Sequence, residues 1–209
     1  MAVAAQRWSR RKEARPQEIL EAALSVFAEK GFAAARMDDV ARRAGVTKGT
    51  IYLYFPSKEE LFKSLVRESI GGTLAQVTAY ADAFNGSARE LLISVLRTIG
   101  TVLRTSDRIV LPKIILAEAG NFPELVRFYR FEVIEKGLGL FRFIITRGIE
   151  HGEFRDVAPD HVARLCVAPI LLGALWRSTF APFDVEPYDI GALIETHIDV
   201  LLHGLARES

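Results

Sequence analysis

The sequence holds a single cysteine, Cys166, in an apolar run. One cysteine builds neither an internal disulfide nor a thiolate metal cluster, so disulfide scaffolds and zinc fingers are excluded within one chain. The histidines His151, His161, His197 and His203 show no i, i+4 spacing of the kind a helical metal site needs. No GxSxG elbow, P-loop or GxGxxG stands anywhere in the chain. Neither a metal, a cofactor nor an enzymatic role is expected. Long hydrophobic runs are also lacking. The longest uncharged apolar stretch, Leu165 to Trp176, contains Pro169 and falls short of the roughly 18 residues of a spanning helix. The apolar start MAVAA is too short for a signal peptide and is followed by charges. The expectation is a soluble, cytoplasmic protein without a membrane role.

What is present is half apolar and a quarter charged, the composition of a globular chain. The formal net charge is +1, but it is unevenly spread. Residues 1–60 carry 11 Lys and Arg against 8 Asp and Glu, whereas residues 61–209 carry 16 against 18. Residues 1–15 hold Arg7, Arg10, Arg11, Lys12 and Arg15 against Glu13 alone. A basic arm on a near-neutral body suits an anionic partner, although a solvated tail has the same composition.

Helical periodicity dominates and predicts an all-α chain of about nine helices. Three short helices at the front carry the basic charge, and longer, more apolar ones follow. Ile19, Ala23, Val26 and Phe27 share one face of a first helix that Gly31 closes. A short helix spans about Met37–Ala44 and ends at Gly45; another spans about Thr47–Phe55. Ser57 and Glu60 form a capping box for the next helix. Gly71-Gly72 bends, ends or weakens that helix. Further helices are expected over 88–104, 107–119, 123–150 and 159–180, and from Pro187 to the end.

The stretch GVTKGTIYLYF, residues 45–55, has its apolar positions on one side and hydroxyls, an ammonium and phenols on the other. Ala41, Gly45 and Ile51 have the spacing of a helix-turn-helix, with a small residue at the crossing and a glycine in the turn. The free face then fits a duplex. Thr47 caps the helix toward a phosphate, and Lys48 reaches a guanine edge or a phosphate. Gly49 lets the backbone approach the bases, and Thr50 offers a methyl and a hydroxyl. Tyr52 and Tyr54 bring phenols to phosphate range, and Lys58 starts the next helix near the backbone.

The block from about Gln17 to Leu65, containing AALSVFAEKGFAAARMDDVARRAGVTKGTIYLYFPSKEELF, resembles a TetR-family transcriptional regulator. The resemblance implies an all-α homodimer. Residues 16–60 would form the DNA-binding head, with residues 1–15 as a basic arm. Residues 61–209 would bind a small effector and dimerise through the last two helices. Typical members are repressors released from a palindromic operator by ligand. An activator of the same fold, or a helical protein-interaction module without a DNA role, is the alternative. One departure stands out: similar sequences carry Thr or Ser just before the second helix, whereas here Ala35 and Arg36 stand there. Asp38 is then the expected cap, and Arg36 the expected phosphate contact.

Resemblance fades after about residue 70, although ILAEAGNFPEL and PILLGALWRSTF are similar to phrases in one TetR subgroup. Candidate effector residues are Phe128, Phe131, Phe141, Ile145, Leu172 and Trp176, with Arg104, Glu118, Asn121 and Tyr129 as polar anchors. Their aromatic bias favours an apolar or aromatic effector. Candidate dimer-face residues are Leu175, Phe180, Ile194, His197, Ile198, Leu201 and Leu205, with Gly173 and Ala174 permitting close approach.

Overall fold

The computed structural model describes residues 2–207, with side chains from Pro16 onward. The side chains of the basic arm, Arg7 to Arg15, lie outside the described residues. Helix α1 (Ala2–Ala34) contains Pro16 rather than starting at it, and Gly31, at φ 74°, breaks it near its end. Ile19, Ala23, Val26 and Phe27 form its buried face. Helix α2 (Met37–Ala44) ends at Gly45, whose φ of 65° only glycine adopts without strain. Val46 N–H then donates to Ala41 O at 3.0 Å, fastening the turn. Helix α3 (Lys48–Tyr54) is capped by Thr47, whose hydroxyl accepts from Thr50 N–H at 3.2 Å. Helix α4 (Lys58–Val66) is capped by Ser57.

Gly71 and Gly72 do not end that helix. It runs through a π-turn at Arg67–Gly71 straight into α5 (Gly72–Ala83). Helix α6 (Ala88–Thr105) starts from a Ser87–Glu90 capping box. A 3-10 turn leads into α7 (Val110–Ala117). Helix α8 (Pro123–Tyr129) continues through a second π-turn, Arg130–Glu135, into α9 (Lys136–Glu150). Helix α10 spans Pro159–Thr179. Helix α11 (Ile190–Leu205) starts three residues later than Pro187 suggested, with Asp189 as its cap, accepting from Ala192 N–H at 2.9 Å. Counting each pair joined by a π-turn as one helix, the described residues form nine.

Two cores organise the chain. The first joins α1–α4 to Leu111, Ile114 and Ile115 of α7 and to Leu125 and Tyr129 of α8. At its centre Phe27, Phe32 and Phe62 meet at ring distances of 5.3–5.6 Å. The second joins α5, α6, α9, α10 and α11. Helices α6 and α11 approach closely because position 100 is glycine; a Cβ there would lie 3.0 Å from Ile194. Cys166 is fully buried here, and burial pushes its thiol up to about 12, as suits an inert core group. Helix α10 is long and apolar enough to cross a membrane by length and composition, yet one face of it, Val162, Ala163, Cys166, Gly173 and Ala174, is buried in this core.

Candidate nucleic-acid interface

Helix α3 is held from behind and open in front. Ile51 is fully buried in the first core, while Thr47, Lys48, Gly49 and Tyr52 are exposed. Gly49 answers no internal demand: a Cβ there would meet only Thr47 Oγ1 at an ordinary 3.9 Å. Thr47 and Thr50 share a hydroxyl hydrogen bond of 2.9 Å, so both oxygens lie on one edge. Tyr52 is 45% exposed; the Tyr54 ring is half-buried against the first core. Lys48 donates to Asp38 at 2.9 Å, and this bond raises its pKa. Both partners are about half exposed, so the pair is worth little and does not tie Lys48 down.

Arg36 is exposed at the N-cap of α2. No side chain caps α2 as the missing hydroxyl would; Asp39, not Asp38, instead takes the N–H of the N-cap residue itself. Arg36 N–H donates to Asp39 Oδ2 at 3.2 Å, and Lys30, at 2.9 Å, holds that carboxyl below its ordinary range. Asp38 is engaged by Lys48 instead. Arg43 is a brace, forking onto Glu29 at 2.6 and 2.7 Å, whereas Arg42 stands 79% exposed beside it.

Lys58 is placed differently from the expectation. Its ammonium donates to the carbonyls of Phe32, Ala33 and Ala35 at 2.7, 3.1 and 3.0 Å and sits 4.5 Å from the centre of the Phe32 ring. All three of its hydrogens are thereby used to close the turn between α1 and α2.

The effector candidates do not form one site. Arg104 and Trp176 come together, with Arg177, Asp184 and Tyr188, around a cavity of about 420 Å³. Trp176 Nε1 donates to Asp184 at 2.8 Å and its ring lies 5.5 Å from that of Tyr188. Glu118 and Asn121 sit instead where the body meets the turn between α1 and α2. Tyr129 is buried in the first core, and burial raises its pKa. Phe128 also packs there, with the Arg67 guanidinium 4.8 Å from its ring centre. Phe141 and Ile145 fill the second core, and Phe131 and Leu172 are exposed.

The dimer candidates need correction. Ile194, Ile198 and Leu205 are buried within their own subunit, because they face α6 and the second core. Gly173 likewise faces Leu103 and Leu193 of the same chain. Leu175, His197 and Leu201 are half-buried, and of the set only Phe180 is freely exposed. The open apolar face carries other residues: Leu165, Leu171 and Leu172 on α10 and Val200 on α11, with Phe183 and Val185 beyond the end of α10.

Residues 19–65, spanning the whole helix-turn-helix, match the model of the bacterial regulatory proteins, tetR family. Over 193 residues, 88% of this chain and 89% of the other, the sequence is 31% identical to the HTH-type transcriptional regulator YfiR of Bacillus subtilis. The chain belongs to the TetR family of transcriptional regulators. It is also 26% identical over 197 residues to the fatty acid metabolism regulator protein of B. subtilis, covering 93% of this chain and 98% of that one. The crystal structure of FadR from B. subtilis in complex with stearoyl-CoA has the same fold, with a TM-score of 0.75 and 24% identity over 90% of this chain and 98% of that one.

Within this TetR-family head, Leu53 joins the open face without being among the expected site residues. It is 84% exposed on the open side of α3, three residues from Thr50 and four from Gly49. The spacing carries the signal: a leucine one helical turn from Gly49 and Thr50 shares their face, not that of Ile51.

Proposed function

We propose that this TetR-family regulator is a homodimeric repressor whose two α3 helices enter successive major grooves of a palindromic operator, and that a long acyl ligand releases it. One observation carries the DNA reading: α3 is fixed by Ile51 and its Thr47 cap, while Gly49, Thr50, Tyr52 and Leu53 face outward together. Thr47, Tyr52 and Tyr54 hold phosphates, and Arg36 adds a charge-assisted contact. Lys48, Thr50 and Leu53 read base edges, with Leu53 and the Thr50 methyl suited to thymine methyls. Lys58 holds the turn that orients them. Half-sites lie about 34–36 Å apart.

Leu165 and Leu172 stand one heptad apart on α10 and, with Leu171 and Val200, supply the apolar surface for the partner's same helices. The effector reading draws on the fatty-acid and stearoyl-CoA relatives. The cavity at the end of α10 offers Arg104 and Arg177 for an anion and Trp176 and Tyr188 for a planar group, which suits the nucleotide end of an acyl-CoA. The test is displacement from a selected duplex by stearoyl-CoA, with stearate and coenzyme A alongside. Release by stearoyl-CoA alone, lost in Arg104→Ala, is expected; release by none of the three sinks the acyl-CoA assignment.

A further inference from the structure

We propose that Glu118 is a positioning residue for the DNA-reading helices and that α7 is the rod through which α10 sets their orientation. This rests on the reading of α2 and α3 as the DNA-binding head. Helix α7 is hydrogen-bonded at its two ends to different parts of the molecule. In its first turn, Lys113 donates to the carbonyl of Ser178 at 2.9 Å, in the last turn of α10. At its other end stands Glu118, whose carboxylate is aimed at the turn between α1 and α2. Oε1 accepts Ala33 N–H at 2.8 Å, and Oε2 accepts from Asn121 Nδ2 at 3.2 Å.

Glu118 is 9% exposed, the one buried carboxylate among the described residues, and no cation there pairs with it. A buried carboxylate without a cation opposes folding unless hydrogen bonds offset its desolvation, and an apolar side chain would pack there at less cost. What the carboxylate gains is a directional hold on one amide. Ala33 has that amide free because Gly31, at φ 74°, breaks the helix just before it. Phe122 adds a second hold from the same body segment, its ring edge-on to Phe32 at 4.8 Å.

From the gripped turn the chain runs through Ala35 and Arg36 directly into α2, and α2 is bound to α3 by the Val46–Ala41 bond. At the far end, Trp176 and Arg177 line the cavity immediately before Ser178, and Arg177 donates to the carbonyls of Leu103 and Ser106. A displacement of the last turn of α10 therefore moves the acceptor of Lys113, the rod and Glu118 in sequence. The bond to Ala33 is either made or broken, which gives the head two discrete settings.

The test uses the full chain and the duplex that wild type selects from a random pool. Affinity at fixed salt, melting temperature and amide hydrogen exchange are measured for Glu118→Ala, Glu118→Gln, Lys113→Met and the double variant Lys113→Met/Glu118→Ala. Glu118→Ala is expected to weaken duplex binding roughly five- to tenfold. It should also speed exchange across residues 37–54 while leaving α6 and α9 protected. Glu118→Gln still accepts from Ala33 N–H and restores most of the affinity. Lys113→Met weakens binding, and the double variant is no worse than the weaker single, because both break one rod. A lowered melting temperature with unchanged affinity in Glu118→Ala overturns the positioning role. Additive losses in the double variant overturn the rod. If wild type selects no duplex, the DNA reading fails separately, and unchanged exchange over 37–54 in Glu118→Ala still refutes the hold.

Discussion

Replacing Lys58 by Met separates a residue that orients the head from one that grips the phosphate backbone. In the free protein the ammonium makes three hydrogen bonds to carbonyls, at 2.7, 3.0 and 3.1 Å, and lies over the Phe32 ring at 4.5 Å. Hydrogen bonds involving a charged group contribute about 1.5–3 kcal/mol net, and the carbonyls at this partly exposed turn regain water in part, so a loss of about 2 kcal/mol is expected. For a chain of this size that lowers the melting temperature by roughly 4–8 °C. Methionine keeps the length and the contact with Phe32, so the change isolates the charge and its donors. The assay is thermal unfolding by circular dichroism together with operator binding from low to high salt. Reduced stability with an unaltered salt slope is expected. An unaltered melting temperature with a shallower slope would show that Lys58 neutralises a phosphate and would refute the reasoning.

The same geometry sets three further outcomes. Leu53→Ala should leave stability unchanged, since the side chain is 84% exposed, and should weaken the operator about fivefold per half-site while leaving non-specific duplex untouched; equal loss on both duplexes would remove Leu53 from base reading. Leu165→Asp with Leu172→Asp should yield monomers in sedimentation equilibrium without loss of helix content, and a persistent dimer would move the interface elsewhere. His197 has a buried Nε2 with no partner, and burial lowers its pKa despite a contact with the Cys166 backbone. Below the ordinary histidine value of about 6.5 the unfolded chain then takes up a proton that the folded one resists, so stability falls as pH drops through that value and is retained above it. His197→Gln should flatten this loss in denaturant titrations between about pH 7 and 5, and an unchanged profile would exclude His197 as its source.

The front of the chain was legible residue by residue because its signals are local. Gly45 needs a positive φ, Thr47 and Ser57 cap the helices that begin after them, and Ile51 marks the inner face; each survives in the structure where its type placed it. The place of Lys58 is not legible, because its partners, the carbonyls of Phe32, Ala33 and Ala35, are more than twenty residues away and carry no side-chain signature. Asp38 and Asp39 were indistinguishable by type, and the choice between them is made by Lys30 and Lys48 from other helices. On α11 the apolar stripe is legible, but a stripe does not say whether it faces α6 of its own subunit or a second copy. Gly100 beneath Ile194 is the residue that decides it. Glu118, expected among the polar anchors of an effector, accepts from a backbone amide 85 positions earlier, a role with no counterpart in the sequence.

The most direct measurement is selection of duplexes from a random pool by the purified chain, followed by titration of the winners against salt. The account predicts a palindrome with half-sites about one helical turn apart. The exposed Arg36 and Arg42 of two subunits set a log–log salt slope of about −4, before any contribution from the basic arm. Enrichment of no sequence, or binding indifferent to salt, would contradict the assignment of α3 as the reading helix.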